Sequence, residues 1–328
     1  MLHLRQVDAV LPRFVFALAL AAWVPSIGAQ EFPARTVRWI VPYPPGGTSD
    51  FLARLIGQKL TERWKQVVVV DNRGGAGGNI GTEAAANAAA DGYTMLLVAS
   101  TMTINQSLYP KLAFDAVRSF APVTNLLWQP YALAVHPSLP VRSVRDLVAL
   151  ARARPGALDY SSGGNGNGGH IAAALFAASA GVKLTHIPYR GMGPAILALV
   201  QGNVQLTFAS VLVVAPHLGS GRLRVLGITG RDRVAAMPDV PTISEAGVPG
   251  YVEGNWQGVL VPAGTPREII STLNREIVRV VRSPEIAQQI VRLGADVIAS
   301  SPDEFASVIR ADLERYAEVV RNAGIRPD

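Results

Sequence analysis

Strand-like and helix-like segments alternate along most of this chain. Short runs rich in Val, Leu, Ile and aromatic residues fall at 37–43, 67–71, 93–99, 158–162, 184–188, 204–209 and 223–229. Segments with helical apolar spacing lie between them, at 50–64, 79–90, 143–154, 169–180, 192–201 and 213–218. Parallel strands need crossover helices, so the alternation predicts an α/β protein with parallel sheets, the doubly wound class. A chain that is 49% hydrophobic and only 16% charged has the apolar material for a substantial core.

The alternation breaks twice. The stretch PVTNLLWQPYALAVH, 122–136, is extended and carries Pro130 inside it; LRVLGITG, 223–230, marks the second break. Two crossings predict a discontinuous first lobe, 30–125 and 225–328, with a second lobe, 126–224, inserted into it and a ligand cleft between them. The last third changes character. Thr265-Pro266-Arg267-Glu268, Ser283-Pro284-Glu285 and Ser301-Pro302-Asp303-Glu304 each place a hydroxyl ahead of proline at a helix start. The third helix would carry Phe305, Val308, Ile309, Leu313, Tyr316 and Val320 on one face and stop at Gly324. These helices are expected to pack on one sheet.

The N-terminus reads as an address. Arg5 and Arg13 precede the apolar run Phe14–Val24, and Ile27-Gly28-Ala29 supplies a small-residue cleavage site. As a helix that run spans roughly 16 Å, too short for a bilayer core of roughly 30 Å. Residues 1–29 are expected to be a signal peptide, with a periplasmic mature chain. There is no cysteine, which excludes disulfides and thiolate chemistry and suits an oxidising compartment. The net charge of +6 is spread out, without basic runs interleaved with aromatics, so no nucleic-acid partner is expected; a small anion suits the field better.

Two strand-to-helix loops stand out. VPYPPGGTSD, 41–50, and YSSGGNGNGGH, 160–170, both follow a strand and open a helix. Each leaves backbone N–H groups at a helix N-terminus, where anions are stabilised, and glycine lets a ligand approach the backbone. A helix dipole contributes roughly 0.3–1 kcal/mol, whereas micromolar binding needs about 8 kcal/mol. Several charge-assisted hydrogen bonds of roughly 1.5–3 kcal/mol each are therefore required, and two loops facing each other across a cleft could supply them. Such loops also occur for backbone reasons alone, and Asp50 at a helix start is in keeping with a cap.

Other chemistries fit less well. Gly164, Gly166 and Gly169 satisfy the G-x-G-x-x-G dinucleotide spacing, but that motif needs an acidic residue about 20 positions on. No Asp or Glu occurs between Asp159 and Asp232, so from 160 to 231 the chain offers an anion no like charge. The histidines, His3, His136, His170, His186 and His217, form no metal-site spacing, and no G-x-S-x-G elbow is present. An enzyme is not favoured, and neither a metal nor another cofactor is implied.

The motif series IVPYPPGGTSDFLARLIGQKL, VVVVDNRGGAGGNIGTEAAANAAADGYTMLLV, SSGGNGNGGHIAAALF, HIPYRGMGPAILALVQGNVQLTF, HLGSGRLRVLGITGRDR, MPDVPTISEAGVPG and WQGVLVPAGTP resembles the Bug family. These are extracytoplasmic solute receptors of tripartite tricarboxylate transporters, and the likeness runs from about residue 37 to the C-terminus. It implies a two-lobed, Venus flytrap (type II-like) periplasmic-binding-protein fold that closes on one small carboxylate. By the same resemblance the ligand would meet Tyr43, Gly46, Gly47, Thr48 and Asp50 of the first loop. From the second loop come Ser162, Gly164, Asn165, Gly166, Asn167 and His170, with Ser100 and Thr101 as a side wall. Two departures bear on the ligand. The family's G-N-G-[ST]-[ST]-x-H reads Gly164-Asn165-Gly166-Asn167-Gly168-Gly169-His170 here, and Ala209-Ser210 replaces a frequent Asp-Asn. A di- or tricarboxylate or an aromatic acid, near Ser210, is thus expected over an amino acid. The resemblance further implies a monomer in transient contact with a membrane permease; a receptor serving a two-component sensor, or a secreted enzyme acting on carboxylates, are the alternatives.

Overall fold

A computed structural model describes residues 32–109 and 111–322. The expected leader, 1–29, and Gly324 lie outside the described residues.

In chain order the strands are β1 (Val37–Val41), β2 (Val68–Asn72), β3 (Thr94–Ala99), β4 (Phe120–Val135), β5 (Asp159–Ser162), β6 (Thr185–Pro188), β7 (Leu206–Ser210), β8 (Arg224–Ile228), β9 (Gly254–Pro262) and β10 (Asp296–Val297). The helices are α1 (Thr48–Trp64), α2 (Asn79–Ala86), α3 (Thr101–Leu108), α4 (Val144–Ala153), α5 (Gly168–Ala180), α6 (Met192–Val200), α7 (Val211–Val214), α8 (Arg267–Val281), α9 (Pro284–Arg292) and α10 (Pro302–Asn322).

The hydrogen-bonded order is β2-β1-β3-β9-β4-β7-β5-β6, with β8 and β10 also on β4. The β1, β2, β3 and the β5, β6, β7 pairings are parallel, as the alternation predicts. β9 and β4, however, run antiparallel to their neighbours, so both sheets are mixed rather than parallel. The reason is that β4 and β9 carry the chain between the lobes instead of closing crossover units.

β4 is one long strand serving two sheets. Its residues from Phe120 to Pro130 pair with β9, and those from Tyr131 to Val135 pair with β7. The first crossing thus lies at Pro130–Tyr131, not at 125/126. β8 also pairs with the second-lobe end of β4, and Ile243, Val248 and Tyr251 pack in the second-lobe core. The return crossing therefore falls just before Gly254 rather than at 224/225. Apolar spacing cannot show this, because β4 is apolar through the change of sheet.

Each sheet is covered on both faces. In the first lobe Trp39, Leu97, Leu127 and Val259 pack under α1, α8 and α9, through Leu52, Ile277 and Ile290. On the opposite face Leu96, Val98 and Leu260 meet Phe305 and Ile309 of α10. The expected packing of the terminal helices on one sheet is realised here. In the second lobe Leu133, Phe208, Leu147 and Phe176 form one face, and Ala134, Ile196, Leu199 and Val214 the other.

Of the three expected hydroxyl–proline helix starts, the third closes as a full capping box. Ser301 Oγ accepts from Glu304 N at 3.3 Å, and Glu304 Oε2 accepts from Ser301 N at 2.8 Å. The other hydroxyls turn back instead, Thr265 donating to Pro262 O at 2.7 Å and Ser283 to Val280 O at 2.7 Å. At Gly258 on β9, an added Cβ would lie 2.2 Å from the Phe305 ring. Gly258→Val is expected to cost about 1–3 kcal/mol by overpacking. Circular dichroism melting should show the midpoint fall by roughly 2–6 °C; an unchanged midpoint would contradict the packing of α10 on β9.

The two crossings are laced together. Tyr131 N donates to Thr229 Oγ1 at 2.7 Å, and Thr229 N donates to Tyr131 O at 2.8 Å. Thr229 Oγ1 donates to Glu253 O at 2.6 Å, and Glu253 N donates to Thr229 O at 2.9 Å. The buried Glu253 carboxylate accepts from Tyr316 at 2.8 Å and pairs with Arg315, so α10 grips the return crossing.

Candidate functional site

The first loop is held from below. Gly46 sits at φ 86°, a conformation that favours glycine, and its N–H donates to Asp50 Oδ2 at 3.0 Å. Asp50 Oδ1 accepts from Arg54 Nε at 2.9 Å, and Arg54 also donates to Asn72 Oδ1 at 2.9 Å. Asn72 in turn donates to Tyr43 O at 3.2 Å. Burial pushes the Asp50 carboxyl up, but Arg54, the Gly46 N–H and Asn72 together hold it below its usual range. Asp50 is thus a compensated anion that shapes the loop, rather than an open charge facing a ligand.

The neighbouring side chains are similarly engaged. The Tyr43 hydroxyl bonds the Thr101 side chain and the Ala99 backbone; burial nonetheless pushes it up to about 12. Ser49 Oγ donates to Gln257 Oε1 at 2.8 Å, and Ser100 donates to Asn255 Oδ1 through N at 3.1 Å and Oγ at 2.7 Å. The amides of Thr48 and Ser49 open α1 and have no intrahelical partner. With the Thr48 hydroxyl they form the donor set of this lobe.

The second loop is more self-contained than its glycines suggest. Ser162 Oγ donates to Gly164 O at 3.0 Å, accepts from Gly164 N at 3.2 Å and lies 2.6 Å from His186 Nε2. His170 Nδ1 accepts from Gly166 N at 3.2 Å, and the ring stacks on His186 at 3.8 Å. Burial, then His186, drives His170 down to about 3, so it is neutral at ordinary pH. Asn167 Oδ1 caps α5 by accepting from Gly169 N at 3.0 Å. Asn165 is half-buried in the same loop. The Gly168 amide, first in α5, has no intrahelical partner.

Each loop faces the opposite lobe. Thr48 Oγ1 lies 3.5 Å from Ser210 Oγ on the opposite lobe. A Cβ on Gly166 would be 2.5 Å from Leu108 of the first lobe, and Ile171 joins Ile104, Leu108, Tyr316 and Val320 in one apolar cluster between the lobes. The α1 N-terminus thus faces the end of β7, and the second loop faces the C-terminal half of α3. Sequence reasoning named the loops but assigned no role to Asn72, His186, Asn255 and Gln257, which brace them. No local pattern marks these four, because each acts on a segment distant in sequence. An open depression of about 770 Å³ against residues such as Gln106, Lys111 and Arg118 is lined by no residue of either loop.

A pair of α/β lobes joined by two crossing segments, with neutral donors and helix N-termini lining the gap, defines a two-lobed solute-binding receptor. The chain belongs to the TctC family, described as "Tripartite tricarboxylate transporter family receptor", which it matches over residues 52–325. It is 36% identical to protein BugT of Bordetella pertussis, over 99% of both chains. Rpa4515 of R. palustris, solved with adipate, superposes with a TM-score of 0.86 at 37% identity, covering 91% of this chain and 100% of that one. MatC of Rhodopseudomonas palustris, solved with bound malate, gives 0.81 at 30% identity, covering 88% and 100%. The fold is the two-lobed periplasmic-binding-protein fold, its first lobe discontinuous. Among the described residues no helix is long and apolar enough to cross a membrane.

Proposed function

We propose that this receptor captures a small carboxylate, aliphatic or aromatic, between the α1 and α5 N-termini as its lobes close, and hands it to a membrane permease. The observation that supports this is that α1 and α5 both open toward the gap between the lobes, where Thr48, Ser49 and Gly168 offer amides and Asp50 is neutralised by Arg54. An anion there gains donors from both lobes without meeting an unpaired carboxylate, so ligand and closure stabilise each other. Adipate and malate in the related structures support the ligand class. The leader 1–29 would be removed on export, and the periplasmic protein would act as a monomer without enzymatic turnover. The residues of the two loops, with Ser100, Thr101 and Ser210, form or brace the seat, the bracing role falling to Asp50, Ser100, Ser162 and His170.

Thermal unfolding against adipate, malate, citrate, benzoate and a set of amino acids tests the reading. A ligand at 100 times its dissociation constant adds about 2.7 kcal/mol, which raises the midpoint by roughly 4 °C. A shift with a carboxylate that lacks an amino group supports the proposal, a shift with amino acids alone would overturn the preference read from Ala209-Ser210, and no shift with any of them would overturn the carboxylate seat.

A further inference from the structure

Tyr131 stands where β4 leaves one sheet for the other. Its neighbour Pro130 still pairs with Gly254 of β9, while Tyr131 itself pairs with Ser210 of β7. Its backbone is fully engaged with Thr229, its side chain is 7% exposed, and its ring packs in the second-lobe core. The hydroxyl is different: no hydrogen bond joins it to the described residues, and it is not sealed from solvent.

That hydroxyl lies at the start of α5. A Cβ built on Gly168 would be 1.8 Å from the Tyr131 oxygen and 2.8 Å from Cζ, so position 168 has no room for a side chain while Tyr131 is in place. The phenol takes the volume in front of the helix N-terminus that a side chain at 168 would otherwise fill. Burial, with Glu253 and then Tyr43 nearby, holds the phenol well above its ordinary range, so it remains a neutral donor. The influence of Tyr43 also sets the ring close to the first lobe. A hydroxyl without a protein partner that still touches solvent, beside an amide free of intrahelical bonding, is a hydrogen-bond donor open to an acceptor entering the gap.

We propose that Tyr131 is a ligand-contacting, specificity-determining residue whose hydroxyl donates, beside the Gly168 amide, to a carboxylate oxygen seated at the N-terminus of α5. This rests on the reading of the cleft as a carboxylate seat. Because Tyr131 belongs to the strand that spans both lobes, the contact ties ligand occupancy to the crossing itself. The Gly168–Tyr131 pair acts as a unit: the glycine makes room and the phenol supplies the polar atom.

Calorimetric titration of the purified protein with adipate, malate, citrate and benzoate provides the test, with melting midpoints recorded without ligand. Tyr131→Phe keeps the ring and should melt as the wild type does, yet bind the preferred carboxylate 10- to 100-fold more weakly. Gly168→Ala should push the phenol aside and weaken binding similarly, leaving little further loss on adding Tyr131→Phe. In Tyr131→Leu/Gly168→Ser, a hydroxyl returned from the loop should recover part of the affinity that Tyr131→Leu alone loses. Wild-type affinity in Tyr131→Phe would overturn the role of Tyr131 and leave the seat standing. Silence of the wild type toward all four carboxylates would instead sink the seat, and this inference with it.

Discussion

Gly47→Val is expected to leave a folded receptor that no longer binds its carboxylate. The Gly47 backbone, φ −86° and ψ 174°, is extended and open to any residue. A Cβ there meets open space, its nearest atom being Pro44 O at 4.0 Å. Nothing needs to move to accept the valine. Exchanging a glycine cap for valine costs about 1 kcal/mol at most, roughly 2 °C in the midpoint. The branched side chain would, however, cover the Thr48 and Ser49 amides. Losing two charge-assisted hydrogen bonds at roughly 1.5–3 kcal/mol each weakens binding by at least about 100-fold. Titration of whichever carboxylate stabilises the wild type reads this directly. Retained affinity would show that the α1 N-terminus is not part of the seat.

The second large effect is a pH dependence hidden in the wild type. Glu253 is raised to about 7, first by burial and further by Asp312, although Arg315 and Tyr316 oppose the rise. Its ordinary value is 4.5, so between pH 4.5 and 7 the folded chain holds a proton that the unfolded chain lacks. Stability from this group is fully present below pH 4.5 and is lost as pH rises through 7. His170 behaves in the opposite sense. Its value falls from 6.5 to about 3, so its contribution is present above pH 6.5 and is lost on acidification. From pH 6.5 to 4.5 the two slopes, about 1.4 kcal/mol per pH unit each, cancel. The depressed carboxyls Asp50 and Asp71 act below their ordinary 3.8, outside this window, whereas burial raises Asp312 above 3.8, so that it adds to the Glu253 slope toward the acid end.

Wild-type stability is therefore expected to be nearly flat from pH 6.5 to 4.5. Glu253→Gln exposes the His170 slope and should lose about 3 kcal/mol over those two units, roughly 5 °C in the midpoint. His170→Asn exposes the other slope and should gain on acidification. Melting curves at pH 7.5, 6.5, 5.5 and 4.5 check both; a Glu253→Gln profile parallel to the wild type would refute the assignment. Glu253 itself sits on the return crossing between the lobes, held there by Arg315 and Tyr316 of α10.

Much of the architecture could be read from local pattern. The strand at 37–43 appears as β1, the helical spacing of 169–180 as α5, and the Ser301–Glu304 box as a closed cap. Each is written in residues two to four apart, the range over which a strand or helix turn sets its own geometry. Helix α3, with the polar sequence TMTINQSL and little apolar rhythm, could not be read this way. It forms because β3 ends beside it and Met102, Ile104 and Leu108 find partners in other elements.

Local pattern also located both loops, since a glycine-rich junction between strand and helix is visible in sequence. It could not say which donors are free. Whether Ser100 offers its hydroxyl depends on Asn255, and whether Asp50 bears an open charge depends on Arg54 and Asn72. The sequence by itself determined the α/β class, the inserted second lobe and the two glycine-rich loops that open helices α1 and α5. Only the tertiary structure decided that most of the loop side chains are braces and that Tyr131 fills the space before Gly168. The difference is one of range: periodicity is a property of neighbours along the chain, whereas a hydrogen bond's availability is set by whatever the fold brings within about 3 Å of it.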